Sequence, residues 1–160
     1  ESAPPGETGE IVIDGPTVTP GYLDDAETRD VFDQRGLHTG DLGYRDADGR
    51  LYVVGRIDDQ IVTGGENVDP DEVESVIESL SSVAESAVVG ISDEEWGERV
   101  GALVVPENGT EPQPDEIEAV CGEELASFKV PKSITFGETI PRTVSGTVDR
   151  EAVIERICRG

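Results

Sequence analysis

"HTGDLGYRDADGRLYVVGRIDDQIVTGGENVDPDEVE", residues 38–74, contains two strand-like halves, a sharp turn, a long polar segment and the start of a helix. Residues 41–56 read as a hairpin around Asp48-Gly49, a dipeptide that tolerates the backbone angles a tight turn needs. With Asp48-Gly49 as a two-residue loop, Ala47 faces Arg50. The same register, carried down the ladder, sets Asp41 opposite Arg56 at the open end. These two residue types are also those of an ordinary cross-strand ion pair on a surface. Beyond them, Asp69 can cap a helix, Pro70 fits its first position, and Glu72 completes a capping-box pattern. Val73, Val76, Ile77 and Leu80 then fall on one stripe. The stretch between Arg56 and Asp69 is much longer than a strand-to-helix connection requires.

Outward from this stretch the pattern stays mixed. "GEIVIDG" (9–15) alternates like a strand, and "GYLDDAETRDVF" follows as a loop with a short helical turn. "SAVVGI" (86–91), "VGALVVP" (100–106) and "KSITF" (132–136) are short apolar runs suited to strands covered by helices. Residues 114–128 carry Ile117, Val120, Cys121, Leu125 and Phe128 on one helical face, and 149–158 carry Val153, Ile154 and Ile157 on another. The expectation is an α+β fold. Residues 55–160 form a small domain, a three-stranded sheet with helices. Residues 1–54 are strand-rich, have no helix able to cover them, and read as the edge of a larger domain.

Charge narrows the function. There are 12 Lys and Arg against 36 Asp and Glu, a net charge of −24, spread along the chain instead of gathered in a tail. Such a field repels nucleic acid and anionic membrane surfaces. An evenly acidic, lysine-poor surface suits a cytosol with very high salt, where the screening length falls to about 3 Å at 1 M and carboxylates keep the surface hydrated. A halophilic source and a cytoplasmic location follow as expectations, with no membrane insertion. Cys121 and Cys158 are too few for a disulfide framework and read as packing residues. No Cys/His cluster has metal-ligand spacing. There is no methionine, even at position 1, so the chain reads as a fragment of a longer product.

The ordered motifs carry a resemblance. Residues 38–74, with "GEIVIDGPTVTPGYLDD" before and "FKVPKSITFGETIPRTVSGTVDRE" after, resemble the AMP-forming adenylating enzymes: acyl- and aryl-CoA synthetases, adenylation domains and luciferases. The resemblance implies the last strands of a large N-terminal domain followed by the whole small, mobile C-terminal domain. It implies ATP and CoA as substrates with a small carboxylic acid, and Mg2+ held in the missing N-terminal domain of the same chain. Asp41 takes the place of the aspartate that binds the ribose hydroxyls, and a carboxylate can accept two hydrogen bonds from a vicinal diol. Arg56 matches the arginine that also reaches the nucleotide, and Asp58 matches the hinge. Gly64, Gly65, Glu66 and Asn67 match the loop lining the pantetheine tunnel of CoA. A loop needing positive φ before a capped helix accounts for the same glycines.

One position departs from the pattern. The family ends "PRTxSG" with a lysine that neutralises charge during adenylation; here Thr147 stands there. Arg142 or Arg150 is expected to substitute for it, against two alternatives: adenylation supported by the large domain alone, or a weakened half-reaction. Lys129 and Lys132, the only lysines, invite a role with CoA phosphates, or else their motif only positions the following strand through Pro131. Trp96 and His38 read as structural. The implied activity is an ATP-dependent, AMP-forming acid–CoA ligase, with the fragment alone inactive. Endings like "LPRTxSGT" in very acidic relatives resemble this one and point to an o-succinylbenzoate–CoA ligase of menaquinone synthesis; fatty- and aryl-acid ligases are alternatives. A non-catalytic binding or regulatory module that kept the fold is the reading from another class.

Overall fold

The structure, a computed structural model, describes residues 3–159, with side chains described at all of them except 25–27. It divides into two compact units between Asp58 and Asp59. The expected boundary after residue 54 would cut a strand, because residues 51–56 stay paired within the first unit.

The first unit is a four-stranded antiparallel sheet with one short helix, α1 (Asp25–Val31). Its long central strand β3 (Gly36–Arg45) pairs with β1 (Gly9–Ile13) on one side. On the other side it pairs with the two-residue β2 (Phe32–Asp33) and with β4 (Leu51–Arg56). None of the fully buried apolar side chains among the described residues belongs to this unit, and Leu51, Tyr52 and Val53 lie exposed.

The β3–β4 hairpin brings Asp41 opposite Arg56, as expected, but by a different route. Asp46 closes the turn with Arg50, so the loop holds three residues, with Gly49 at φ 82°. Asp46 Oδ1 accepts from the amides of Asp48 and Arg50, which fixes this wider turn. Ala47 therefore does not face Arg50. That shifts the ladder by one residue, and Tyr44 pairs with Tyr52. A bulge at Val54, between the pairs Gly43–Val53 and Leu42–Gly55, shifts it back.

The second unit wraps one five-stranded sheet with helices on both faces. β7 (Val83–Asp93) and β8 (Gly97–Pro106) form its long hairpin, and β9 (Ser133–Phe136) lies parallel to β8. These are the three strands expected. The sheet is extended by β5 (Ile61–Thr63) and β6 (Glu66–Val68), a small hairpin formed from the polar segment. Side chains alternate across it. Val88, Val100, Ala102 and Val104 pack with Val73 and Ile77 of α2 (Pro70–Ile77) and with Ile117 and Cys121 of α3 (Pro114–Glu124). Ala87, Val89, Ile91 and Leu103 face the other way, onto Val153 and Ile157 of α4 (Arg150–Arg159). Two covered faces are why the strands read as continuous apolar runs. Burial of Val153 and Ile157, worth about 1.5–3 kcal/mol each, dominates over the exposed Arg159–Glu155 pair, worth about 0.5 kcal/mol at most.

Two local expectations change. Asp69 caps α2 by accepting from the Asp71 amide, but Glu72 does not close a capping box; it pairs with Lys129 at 2.5 Å. Helix α3 stops at Glu124, short of Leu125 and Phe128. Glu123 and Glu124 sit at its C-terminal end, where the helix dipole disfavours negative charge. The chain then turns through a 3₁₀ segment, Ser127–Lys129, that carries Phe128 off the helical face.

Candidate functional site

The motif at residues 38–41 is a local distortion of β3. Glu10 pairs with Leu42 but Val12 pairs with His38, so Thr39, Gly40 and Asp41 together oppose Ile11. Thr39 holds this wide bulge: its hydroxyl donates to Ile11 O at 2.9 Å and accepts from the Asp41 amide at 3.0 Å. Gly40, at φ 72°, leaves room for the neighbouring guanidinium; a Cβ there would lie 3.1 Å from Arg56 Nη2. Arg56 Nη1 donates to Asp41 Oδ1 at 2.8 Å, and its Nη2 lies 3.9 Å from Asp58 Oδ2. The Asp41 and Arg56 side chains remain 36% and 51% exposed, so a ligand can still reach both. Bulges on both strands re-aim these two side chains out of the regular alternation.

His38, three residues before Asp41, is held by two carboxylates. Its Nδ1 lies 2.5 Å from Glu10 Oε2 and its Nε2 3.2 Å from Asp33 Oδ1. Hydrogen bonding to Glu10, then to Asp33, raises the imidazole above its ordinary range. Asp58 closes the first unit within the short 3₁₀ turn Ile57–Asp59, its side chain 83% exposed.

Gly64 and Gly65 form the two-residue turn between β5 and β6, with Thr63 paired to Glu66 and φ values of 59° and 85°. Both glycines are thus required by backbone geometry alone. Gly64 has a further constraint, since its N–H donates to Trp96 O at 2.9 Å and a Cβ would meet the Trp96 ring at 2.8 Å. Gly65 faces open space. Glu66 and Asn67 lie exposed on β6.

Beside this turn a cavity of about 240 Å³ is lined by Thr63, Asp93, Trp96, Arg99, Phe128 and Lys132. Arg99 Nε itself is buried and, among the described residues, has no hydrogen-bond partner. Asp93 accepts from the Trp96 and Glu95 amides, which lowers its carboxyl and sets the Trp96 turn. Two aromatic rings and two cations thus share this lining with the Asp93 carboxylate. Sequence reasoning misses this grouping: Trp96 reads as structural, Phe128 reads as part of a buried helical face that α3 does not reach, and Arg99 carries no motif signal. The two lysines separate, with Lys129 pairing with Glu72 and Lys132 lining the cavity. A shallower depression of about 450 Å³ at residues 105–109 and 136–138 carries Glu107 and Glu138 and no cation.

Thr147 lies in a small hairpin loop closed by an Arg142–Val148 bridge, with Gly146 at φ 90°. The hydroxyls of Thr143, Ser145 and Thr147 lie 2.8–3.3 Å apart. Arg142 donates to Gly146 O at 2.9 Å and pairs with Glu85. Arg150 pairs with Asp59 at 2.8 Å and donates to Val88 O at 3.0 Å. Both arginines proposed as substitute cations are therefore already engaged. Among the described residues no group of three or more His, Cys, Asp or Glu could hold a metal ion, and no helix is long and apolar enough to cross a membrane.

Residues 72–147 match the AMP-binding enzyme C-terminal domain. This part of the chain is an AMP-binding enzyme C-terminal domain. Relatives extend the likeness beyond the domain to the strands before it. The 2-succinylbenzoate–CoA ligase of Bacillus cereus is 46% identical over 143 residues, 89% of this chain and 29% of that protein. The oxalate–CoA ligase of Arabidopsis thaliana is 40% identical over 152 residues, 94% of this chain and 30% of that protein. In structure, the o-succinylbenzoate CoA synthetase (MenE) of Bacillus subtilis, solved with the acyl-adenylate intermediate OSB-AMP, superposes with a TM-score of 0.86. It is 38% identical and is matched over 94% of this chain and 31% of its own. The chain thus spans about 30% of the length of the relatives it matches, and its fold is that of adenylating enzymes.

Proposed function

We propose that this chain is the C-terminal part of an ATP-dependent, AMP-forming carboxylic acid–CoA ligase acting in the cytoplasm of a halophile. The carrying observation is the Asp41–Arg56 pair, held by a bulge on each of its two strands two residues before the boundary between the units. Asp41 accepts the ribose hydroxyls and Arg56 steadies the nucleotide, while Asp58, exposed at that boundary, is the hinge. A sheet with no fully buried apolar side chain among its described residues, as in the first unit, is supported in this reading by the longer protein's large domain. Mg2+ travels with ATP and is held by that domain.

The reaction runs in two halves. A carboxylate oxygen attacks the α-phosphorus of ATP, giving acyl-AMP and pyrophosphate. The CoA thiol then attacks the acyl carbon, loses its proton and expels AMP. The turn at Gly64–Gly65, followed by Glu66 and Asn67, borders the pantetheine path. The cavity beside it receives the CoA nucleotide, with adenine against Trp96 or Phe128 and phosphate on Arg99 and Lys132. The two cations on the cavity lining, in a chain with so few, support this assignment. o-Succinylbenzoate is the acid we favour, on the 46% identity to a ligase named for it; the oxalate–CoA ligase shows how similar this region can be with another acid named.

The test is AMP formation by the full-length protein at molar KCl against o-succinylbenzoate, oxalate, a fatty acid and an aryl acid, with and without CoA. The Thr147→Lys variant is run alongside. AMP and thioester with one acid support the ligase, and AMP with none of them refutes it. A large gain in acyl-AMP formation by Thr147→Lys would mean that no other cation, including Arg142, replaces the missing charge.

A further inference from the structure

We propose that Arg150 is a positioning residue that anchors the second unit's side of the hinge by holding Asp59 against the edge of β7. For its part in turnover the proposal rests on the ligase reading; the anchoring itself does not.

Adjacent aspartates at the boundary meet different surroundings. Asp58 is 83% exposed, with only a 3.9 Å approach to Arg56. Asp59 is 30% exposed and receives Arg150 Nε at 2.8 Å, with Arg150 itself 31% exposed. Half-sheltered and bound through a directed donor, this pair is screened less than a surface pair. The same guanidinium reaches a third element, since its Nη1 donates to Val88 O at 3.0 Å.

Val88 lies on β7, a strand at the sheet's edge whose outer main-chain groups need partners. Its carbonyl takes Arg150 of α4, and its N–H donates to Glu74 Oε1 of α2 at 2.7 Å. Glu78, one helical turn on, accepts from the Ser86 amide at 2.8 Å. The edge is thus closed by side chains, and Asp59 is tied to that closed edge. The chain is then secured almost at once: Ile61 is buried in the core and the Val62 amide donates to Glu98 Oε2 at 2.7 Å.

Without the Asp59–Arg150 pair, the first fixed point after Asp58 would be Ile61, and flexible backbone would extend through Gln60. With it, rotation is confined to the backbone of Asp58. A pivot of one residue returns the small unit to defined poses, where a longer link would spread it over many.

The test uses Arg150→Gln, Asp59→Asn and the double variant. Hydrogen exchange on the 160-residue chain should speed up about tenfold at residues 59–62 in each single variant, with α3 unchanged. The double variant should be no faster than either single one, as for two halves of one contact. In the full-length enzyme, Asp59→Asn and Arg150→Gln should each lower kcat of both half-reactions and leave KM for ATP and for the acid unchanged. Unchanged exchange at 59–62, additive effects, or a rise in KM for ATP alone would overturn the proposal, the last by marking Arg150 as a phosphate contact. A wild-type enzyme that forms no acyl-AMP would refute the ligase reading instead, and the exchange result would still judge the anchor.

Discussion

Replacing Gly64 and Gly65 one at a time by alanine separates two reasons for glycine in one turn. Both sit at positive φ, which costs an L-residue roughly 1–2 kcal/mol. Gly65 has nothing within 4 Å of a built Cβ, so Gly65→Ala should cost about that and no more. Gly64 adds a steric term, because its Cβ would stand 2.8 and 3.1 Å from two atoms of the Trp96 ring. The Trp96 backbone cannot retreat, since its carbonyl accepts from the Gly64 amide and its own amide donates to Asp93. The ring must swing aside, at a further cost of about 1–3 kcal/mol. Urea unfolding followed by circular dichroism measures both. Fluorescence of Trp96, the sole tryptophan, should change in Gly64→Ala and hardly in Gly65→Ala. In a Trp96→Ala background the extra cost of Gly64→Ala should disappear. Equal costs for the two glycines, or no relief in that background, would refute the reasoning and remove the link between turn and cavity.

Burial pushes the Glu74 carboxyl up to about 7. A raised folded-state value stabilises most below the unfolded value, near 4.5, and the gain is lost as pH rises through about 7. Glu74→Gln, which can still accept from Val88, should flatten that slope and be roughly 1–2 kcal/mol more stable than wild type at pH 8, after allowance for screening. An unchanged slope would contradict it. With a net charge of −24, raising KCl from about 0.1 to 2 M should raise the thermal midpoint through shorter-range repulsion; a flat or falling midpoint would count against the halophilic reading. In the full-length enzyme, Asp41→Ala should raise KM for ATP about tenfold or more and leave KM for the acid unchanged. An effect on the acid instead would reassign Asp41.

The hairpin shows how a register can be correct while its derivation is not. Asp48-Gly49 marked a turn, but Asp46 accepted two amides and widened it, and Val54 then bulged to restore the pairing. Neither event is visible in a pattern of apolar and polar residues, and each alone would have separated Asp41 from Arg56. Glu72 illustrates the opposite case. Its spacing from Asp69 satisfied a local rule, yet Lys129, 57 positions later, captured it.

By itself, the sequence determined the elements: alternation made the strands, two-faced apolar runs made the central hairpin, and Pro70 and Pro114 marked the starts of α2 and α3. These follow from forces acting over a few neighbouring residues. Only the tertiary structure decided which charges meet. It tied Arg150 to Asp59 and gathered Trp96, Arg99, Phe128 and Lys132 around one cavity. Partners so far apart along the chain are chosen by the packing of whole elements, and a side chain's neighbours across a sheet leave no periodic trace in sequence.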